Sequence, residues 1–244
     1  MILLKDDVPT RSVPLLTLTL IAANVLVYAY EFFLWAGSVA GARMFAHLVH
    51  EFGLVPCRVG GTCPAALTTL LAGAPAPLLT VFTSMFLHAG VAHLAGNMLY
   101  LWVFGQSVED ALGRGRFLVF YLLGGGLAAA AQYQADPASA IPMVGASGAV
   151  SAVLGAYLLL HPHARVKILV IVGFFWRVVA VPALVVLGLW IVVQFVAGAL
   201  SAGGGLGREE SGGVAVLAHV GGFLAGILLL PLFRPRPRLG YARH

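Results

Sequence analysis

Charge is scarce in this sequence. Asp, Glu, Lys and Arg make up 9% of its 244 residues, against 60% apolar, and the mean hydropathy is +0.96. That balance excludes an ordinary soluble domain, which carries roughly a quarter of its residues as charges. Cysteine is confined to Cys57 and Cys63, and two thiolates alone do not make a zinc site. The zinc-protease spacing His-Glu-x-x-His is also missing. His47, His50 and Glu51 come nearest to a metal cluster, and an amphipathic helix explains them better. No small-residue cleavage site follows the first apolar run, so that run is expected to be an uncleaved span rather than a signal peptide.

What is abundant is apolar length. A helix needs roughly twenty residues to cross a ~30 Å hydrocarbon core, and six segments reach or approach that length, near 14–35, 91–107, 116–134, 147–161, 179–200 and 214–232. The expectation is an all-α polytopic membrane protein with six transmembrane helices. Residues 1–13 form an amino-terminal segment, 14–232 the membrane domain, and 233–244 a basic tail. The stretch Ile168 to Trp176 is too short to span and is expected to be an interfacial or partly buried extension before the fifth span.

Cationic loops stay cytoplasmic. Lys5, Arg11, Arg114, Arg116, Arg165, Lys167, Arg234, Arg236, Arg238 and Arg243 fall on one side of a six-span layout, and Arg43, Arg58 and Arg208 on the other. This predicts that both termini are cytoplasmic. The net charge of +5 is then topology signal plus attraction to anionic lipid, with no nucleic-acid partner implied. High glycine and alanine use suggests a bacterial inner (plasma) membrane.

The outer loop at 36–80 is too long and too oily for a plain connector, and is expected to hold short helices lying in or on the membrane. Cys57 and Cys63 lie in it, on the oxidising side, where a small disulfide is open to them although spacing fixes no geometry. Asn24, in the first span, is expected to bond another helix. Glu109 and Asp110 are expected to belong to an inner charge cluster.

Polar residues inside the spans carry the chemistry. His93 and Asn97 are one turn apart on one helix face. Ser147 opens the fourth span, whose small face continues through Ser151 and Gly155. The sixth span repeats that face with Ala218, Gly222 and Gly226, beside His219. Small-xxx-small faces let two backbones approach closely, which would let a short Ser side chain reach a His on the neighbouring helix. At 1.5 Å per residue, Ser147, His219, His93 and Asn97 lie roughly 5, 8, 3 and 9 Å below the same outer face. A Ser hydroxyl becomes a nucleophile when a neutral imidazole takes its proton. The oxyanion produced by attack on an amide needs aimed donors, and His93, Asn97 and the N–H of Ser147 at a helix N-terminus can supply them. No carboxylate lies at this depth, so a Ser–His dyad is expected rather than a triad. Gly145-Ala146-Ser147-Gly148-Ala149 also departs from the G-x-S-x-G pattern of soluble hydrolases at its last position.

Together, Gly145-Ala146-Ser147-Gly148, the H-x(4)-H-x(3)-N run from His88 to Asn97, Glu109 with Gly113, and Ala218-His219-Val220-Gly221-Gly222-Phe223 resemble the rhomboid intramembrane serine proteases. The resemblance covers residues 80 to 232. It implies Ser147 as nucleophile, His219 as base, and His93 with Asn97 as oxyanion-stabilising side chains. It implies single-pass or polytopic transmembrane proteins as substrates, cut near the outer end of a helix at small residues inside the lipid bilayer, and neither cofactor nor metal. The fifth span and the 201–213 loop would form a lateral gate and cap. Trp190 would sit in that gate, with a lipid-facing aromatic as the plainer alternative. Some members place a Tyr one turn after the nucleophile, stacked on the base; Ser151 stands there, so the base must be oriented by something else. The rival readings are a catalytically silent rhomboid-like protein that binds or escorts membrane clients, a small transporter, and a bundle in which Ser and His merely join helices.

Overall fold

A computed structural model describes residues 2–35, 37–202, 216–233 and 235. Residues 203–213 of the expected cap, with Arg208, Glu209 and Glu210, and the tail arginines Arg234, Arg236, Arg238 and Arg243 lie outside the described residues. In chain order the elements are β1 (Ile2–Asp6), α1 (Leu15–Trp35), α2 (Val39–Phe52), α3 (Pro56–Gly60), α4 (Ala65–Leu70), α5 (Pro77–Thr83) and α6 (Val91–Leu112). Then come α7 (Arg114–Ala135), α8 (Ser147–Leu160), β2 (Arg165–Val172), β3 (Phe175–Pro182), α9 (Ala183–Ala202) and α10 (Val216–Leu229).

The structure is mostly helical, and α1 and α6–α10 each fall on one of the expected apolar segments, except that 179–182 of the fifth belongs to β3 rather than α9. Leu15–Trp35 and the run Val216–Phe233 are long and apolar enough to cross a membrane alone. Pro77–Phe86 with Val91–Leu112, bent by 84°, counts as a third such span. Ser147–Leu160 and Ala183–Val196 are apolar but shorter. At 1.5 Å per residue, α8 is about 21 Å long, less than the ~30 Å of hydrocarbon. Its first residue, Ser147, is half-buried and is reached by a non-helical segment. That segment is pinned by a bridge between Leu54 and Met143, and Ala146 is fully buried. Leu101, Phe104, Phe117, Phe120, Leu154 and Tyr157 fill the core between α6, α7 and α8. Gly113 joins α6 to α7 as a single residue at φ 80°, a left-handed conformation that glycine adopts without steric cost.

The segment 36–80 holds α2 to α4 and the start of α5. Cys57 and Cys63 are joined by a disulfide there, closing the turn after α3.

An all-helical chain is not what forms. β1, β2 and β3 make a three-stranded antiparallel sheet in that order. The expected interfacial extension at 168–176 is instead most of a hairpin, with Val172 opposite Phe175 and Gly173 at φ 59° in the turn. β-branched residues dominate β2, and β-branched with aromatic residues make up most of β3; their side chains suit a pleated surface better than a helix. Val166 and Ile168 point into the core, while Lys167 points away. β1 pairs with β2 from Ile2–Leu169 to Asp6–Val166, so the amino-terminal segment is part of this sheet. Arg177 joins Arg165 and Lys167 on the hairpin.

Glu109 and Asp110 are buried and fasten the chain entering α1. The Glu109 carboxylate accepts from the backbone N–H groups of Leu16 and Thr17, at 3.0 and 2.7 Å, and from the Thr17 hydroxyl at 2.8 Å. These are orphan donors of a helix N-terminus, satisfied by a carboxylate that also favours the positive end of the helix dipole. Asp110 pairs with Arg11 at 3.0 Å. The pair expected in an inner charge cluster thus forms a buried clamp on the start of α1. Asn24 donates to Leu20 one turn back in its own helix rather than to a neighbour.

Two outcomes follow. Glu109→Ala strands three donors and should cost about 2–4 kcal/mol, read as a lower melting temperature in detergent. Asp6 accepts from the Ser107 and Tyr157 hydroxyls at 2.7 and 2.9 Å. Burial raises its pKa above the ordinary 3.8, while these hydrogen bonds pull the other way. The folded state therefore holds the Asp6 proton more tightly than the unfolded one. Its stabilising contribution is full below the unfolded pKa and is lost as pH rises through the folded pKa. Asp6→Asn should flatten that decline when melting temperature is followed from acid to neutral pH.

Candidate functional site

The site is built on the crossing of α8 and α10. A Cβ placed on Gly155 would strike the Phe223 carbonyl, on Gly222 the Gly148 carbonyl, and on Gly226 the Ala152 carbonyl. At three successive levels the two backbones touch where a side chain would hold them apart. α7 closes on the same pair: a Cβ on Gly124 would meet Ala152, and one on Gly221 would meet Ala131. Gly222 and Gly226 are therefore packing residues of the seam.

At the top of this seam Ser147 Oγ and His219 Nε2 lie 2.7 Å apart. His219 is buried. Ser147 is the first residue of α8, so its backbone N–H is one of the helix-terminal donors without an intrahelical acceptor. Gly145 shapes the approach. Its φ is +120°, its N–H donates to the Ser84 carbonyl at 2.9 Å, and a side chain there would overlap His93. The position of that absent Cβ is 2.8 Å from His93 Nε2 and 3.7 Å from Ser147 Oγ, so these two atoms flank one spot. Asn97 is one turn further along α6, buried, and its side-chain nitrogen has no partner among the described residues. The fold thus brings Ser147, His219 and His93 together, with Asn97 next along the helix and an unused donor in reserve.

A cavity of about 30 Å³ adjoins Ser147, lined by Gly125, Ala128, Gly148, Ala149 and Ala218 among others. Glycines and alanines line one part of this hollow, and Val81, Met85, Met143 and Val144 close the rest. Chemically, the arrangement offers a hydroxyl hydrogen-bonded to an imidazole, N–H donors beside it, and a recess of mixed polarity on the other flank.

Ser151 does not touch the imidazole: its hydroxyl turns back to the Ser147 carbonyl at 2.6 Å. The ring is met from α9 instead. Trp190 lies with its ring centroid 6.0 Å from that of His219, 6.3 Å from Phe223 and 6.4 Å from Tyr100, so it faces inward rather than lipid. Gln194 Oε1 lies 2.7 Å from His219 Nδ1, within hydrogen-bond distance. Sequence reasoning missed Gln194. The available signal was a lone amide within an apolar helix, where a polar group needs a partner. Gln132, expected only as a polar exit from α7, accepts from the Ala218 N–H at 3.2 Å and ties α7 to the residue before His219.

In α2, His47 and Glu51 approach to 3.4 Å one turn apart, while the His50 ring bonds the Ala46 carbonyl. These groups are spent within their own helix.

Comparison with known proteins places this geometry in context. A family model described as Rhomboid domain matches residues 75–236. The "Rhomboid protease GluP" of Bacillus subtilis is 45% identical over 78 residues, covering 32% of this chain and 15% of that protein. "RHOMBOID-like protein 1" of Arabidopsis thaliana is 29% identical over 244 aligned positions, 93% of this chain and 55% of the relative. "Rhomboid protein 1, mitochondrial" of Saccharomyces cerevisiae is 34% identical over 155, covering 62% and 40%. The chain therefore spans between 15% and 55% of the length of these relatives.

The seam sets the next expectation. Gly226→Val should cost about 3 kcal/mol by overpacking, because the atom in its way is backbone. Gly188, on α9, has open space around it, and Gly188→Ala should raise stability by about 0.5 kcal/mol. Thermal unfolding of the two variants in the same detergent reads the contrast.

Proposed function

The chain belongs to the rhomboid family, and from that premise we propose that it is an intramembrane serine endopeptidase working through a Ser147–His219 dyad. The observation that carries this reading is the 2.7 Å contact between Ser147 Oγ and His219 Nε2 at a helix terminus inside an apolar bundle. A Ser–His hydrogen bond can also simply join two helices; what favours chemistry here is that His93 Nε2 and Ser147 Oγ flank the same spot, with the Ser147 N–H at the helix terminus.

The steps follow from the atoms present. A substrate peptide carbonyl enters the spot flanked by Ser147 and His93. Ser147 Oγ attacks its carbon while His219 Nε2 takes the hydroxyl proton. The oxyanion receives hydrogen bonds from the Ser147 N–H, His93 and Asn97, donors that strengthen as charge develops. His219 then gives its proton to the departing amine, leaving an acyl-serine. Water enters, loses a proton to His219 and releases the new carboxyl terminus, restoring the hydroxyl. The cavity beside Ser147, about 30 Å³, favours a small side chain next to the scissile bond.

Substrates are transmembrane segments of other proteins, since the site is framed by helices apolar enough to cross a membrane. The six-span layout carries over to α1 and α6–α10, with 36–80 as a membrane-associated outer loop. The cationic residues Lys5, Arg11, Arg114, Arg116, Arg165, Lys167 and Arg177 mark the cytoplasmic side. Ser147 then opens to the opposite side, and a bacterial inner membrane is the setting proposed. Residues 14–232 act as the catalytic unit. α9 forms the side through which substrate enters.

The direct test is labelling by a fluorophosphonate probe, which reports an activated serine without requiring the substrate. Wild type in detergent should label, and Ser147→Ala and His219→Ala should each abolish labelling while keeping the wild-type melt. A well-folded wild type that neither labels nor cleaves a model transmembrane substrate would instead indicate a silent client-binding member.

A further inference from the structure

We propose that Gln194 is a positioning residue for His219: through its amide oxygen it holds the imidazole as the Nδ1–H tautomer and so makes base alignment depend on α9 being docked. This rests on the serine endopeptidase reading and specifies how its base is kept competent.

The argument starts from α9. Its outer surface, with Leu184, Val185, Leu189, Val192, Phe195 and Val196, is exposed. Its inward stripe runs Leu187, Trp190, Gln194, spaced three and four apart as one helix face requires. Gln194 is the one carboxamide in α9, and a carboxamide among apolar neighbours is costly unless it is hydrogen-bonded. It is bonded, to His219 Nδ1 at 2.7 Å.

A neutral imidazole has one N–H and one lone pair on nitrogen. An amide oxygen only accepts, so the proton is on Nδ1 and the lone pair on Nε2. That lone pair faces Ser147 Oγ at the same distance, 2.7 Å. The opposite tautomer would aim an N–H at the nucleophile and could not take its proton. Three contacts therefore define the ring: Ser147 from α8, and Gln194 with Trp190 from α9. One turn below the nucleophile Ser151 gives the ring nothing, because its hydroxyl is bonded to the Ser147 carbonyl. Two of the three constraints come from the outermost helix of the site. If α9 swings out, both leave together and the imidazole is free to rotate or to change tautomer. Gln194 is uncharged, so it orients the base without supplying the counter-charge of a triad carboxylate.

The test uses full-length wild type, Gln194→Met and Gln194→Glu. Met keeps the length and apolar packing but has no comparable acceptor. Glu presents an oxygen acceptor whether or not it is protonated. Nitrogen-15 spectra of histidine-labelled protein, with the His219 signals identified by their loss in His219→Ala, report which ring nitrogen carries the proton. The expected result is Nδ1–H in wild type and Gln194→Glu, and loss of that single tautomer in Gln194→Met. The fluorophosphonate labelling rate should fall on the order of tenfold in Met, the scale of one hydrogen bond, and recover in Glu. A wild-type ring protonated on Nε2, or a Met variant with unchanged tautomer and labelling rate, overturns the proposal. Should Met fail to fold, the wild-type and Glu spectra still decide. Absence of labelling in wild type would count against the protease reading alone, because the tautomer is read without activity.

Discussion

The contact on which the site depends is backbone against backbone. Where α8 crosses α10, Gly155, Gly222 and Gly226 let one helix rest on the carbonyls of the other. A Ser side chain reaches only a short way from its helix, so its partner must come from a helix that approaches this closely. In a lipid setting there is little hydrophobic drive between helices, and van der Waals contact with interhelical hydrogen bonds carries association. The same absence of side chains that permits the approach also maximises that contact. Gln132, accepting from the Ala218 N–H, ties α7 to the first turn of α10 just above this crossing.

From that crossing outward, the site is graded in how tightly its parts are held. Ser147 is set by a helix terminus and by a buried approach segment. His93 is held against Gly145, where no other residue fits at φ +120°. His219 is different: its backbone belongs to the seam, but its ring is framed by a helix whose far side is exposed. Ser147, His93 and Asn97 are thus built into the bundle, and the His219 ring is framed from its periphery.

Much of this was legible in the chain, for physical reasons that differ from residue to residue. Ser147 and His219 could be paired because small residues every fourth position announce close helix contact, and because depth could be counted along helices of fixed rise. The hairpin could not be read by length and hydropathy alone. Ile168 to Trp176 is an apolar run, and only its load of Val and Ile with Gly173 at the turn distinguishes a strand pair from a short helix. β1 was hidden because five residues of mixed polarity show no period until their partner strand is known. Glu109 and Asp110 looked like surface charge since their partners, Thr17 and Arg11, are over 90 residues away. Gln194 escaped for a related reason. Its significance is the atom it faces across two helices, which no spacing within α9 encodes.

The sheet has a consequence in time rather than in space. β1 pairs with a strand that begins at Arg165, and Asp6 takes a hydrogen bond from Tyr157, 151 residues downstream. During synthesis β1 has no strand to pair with until β2 has been made, although Ser107 of α6 already offers Asp6 a hydrogen bond. Contacts separated so far along a chain close late, because the loop entropy must be met before they form. β1 is therefore fixed in place late, and its closure ties the chain entering α1 to a hairpin that is made only after α8.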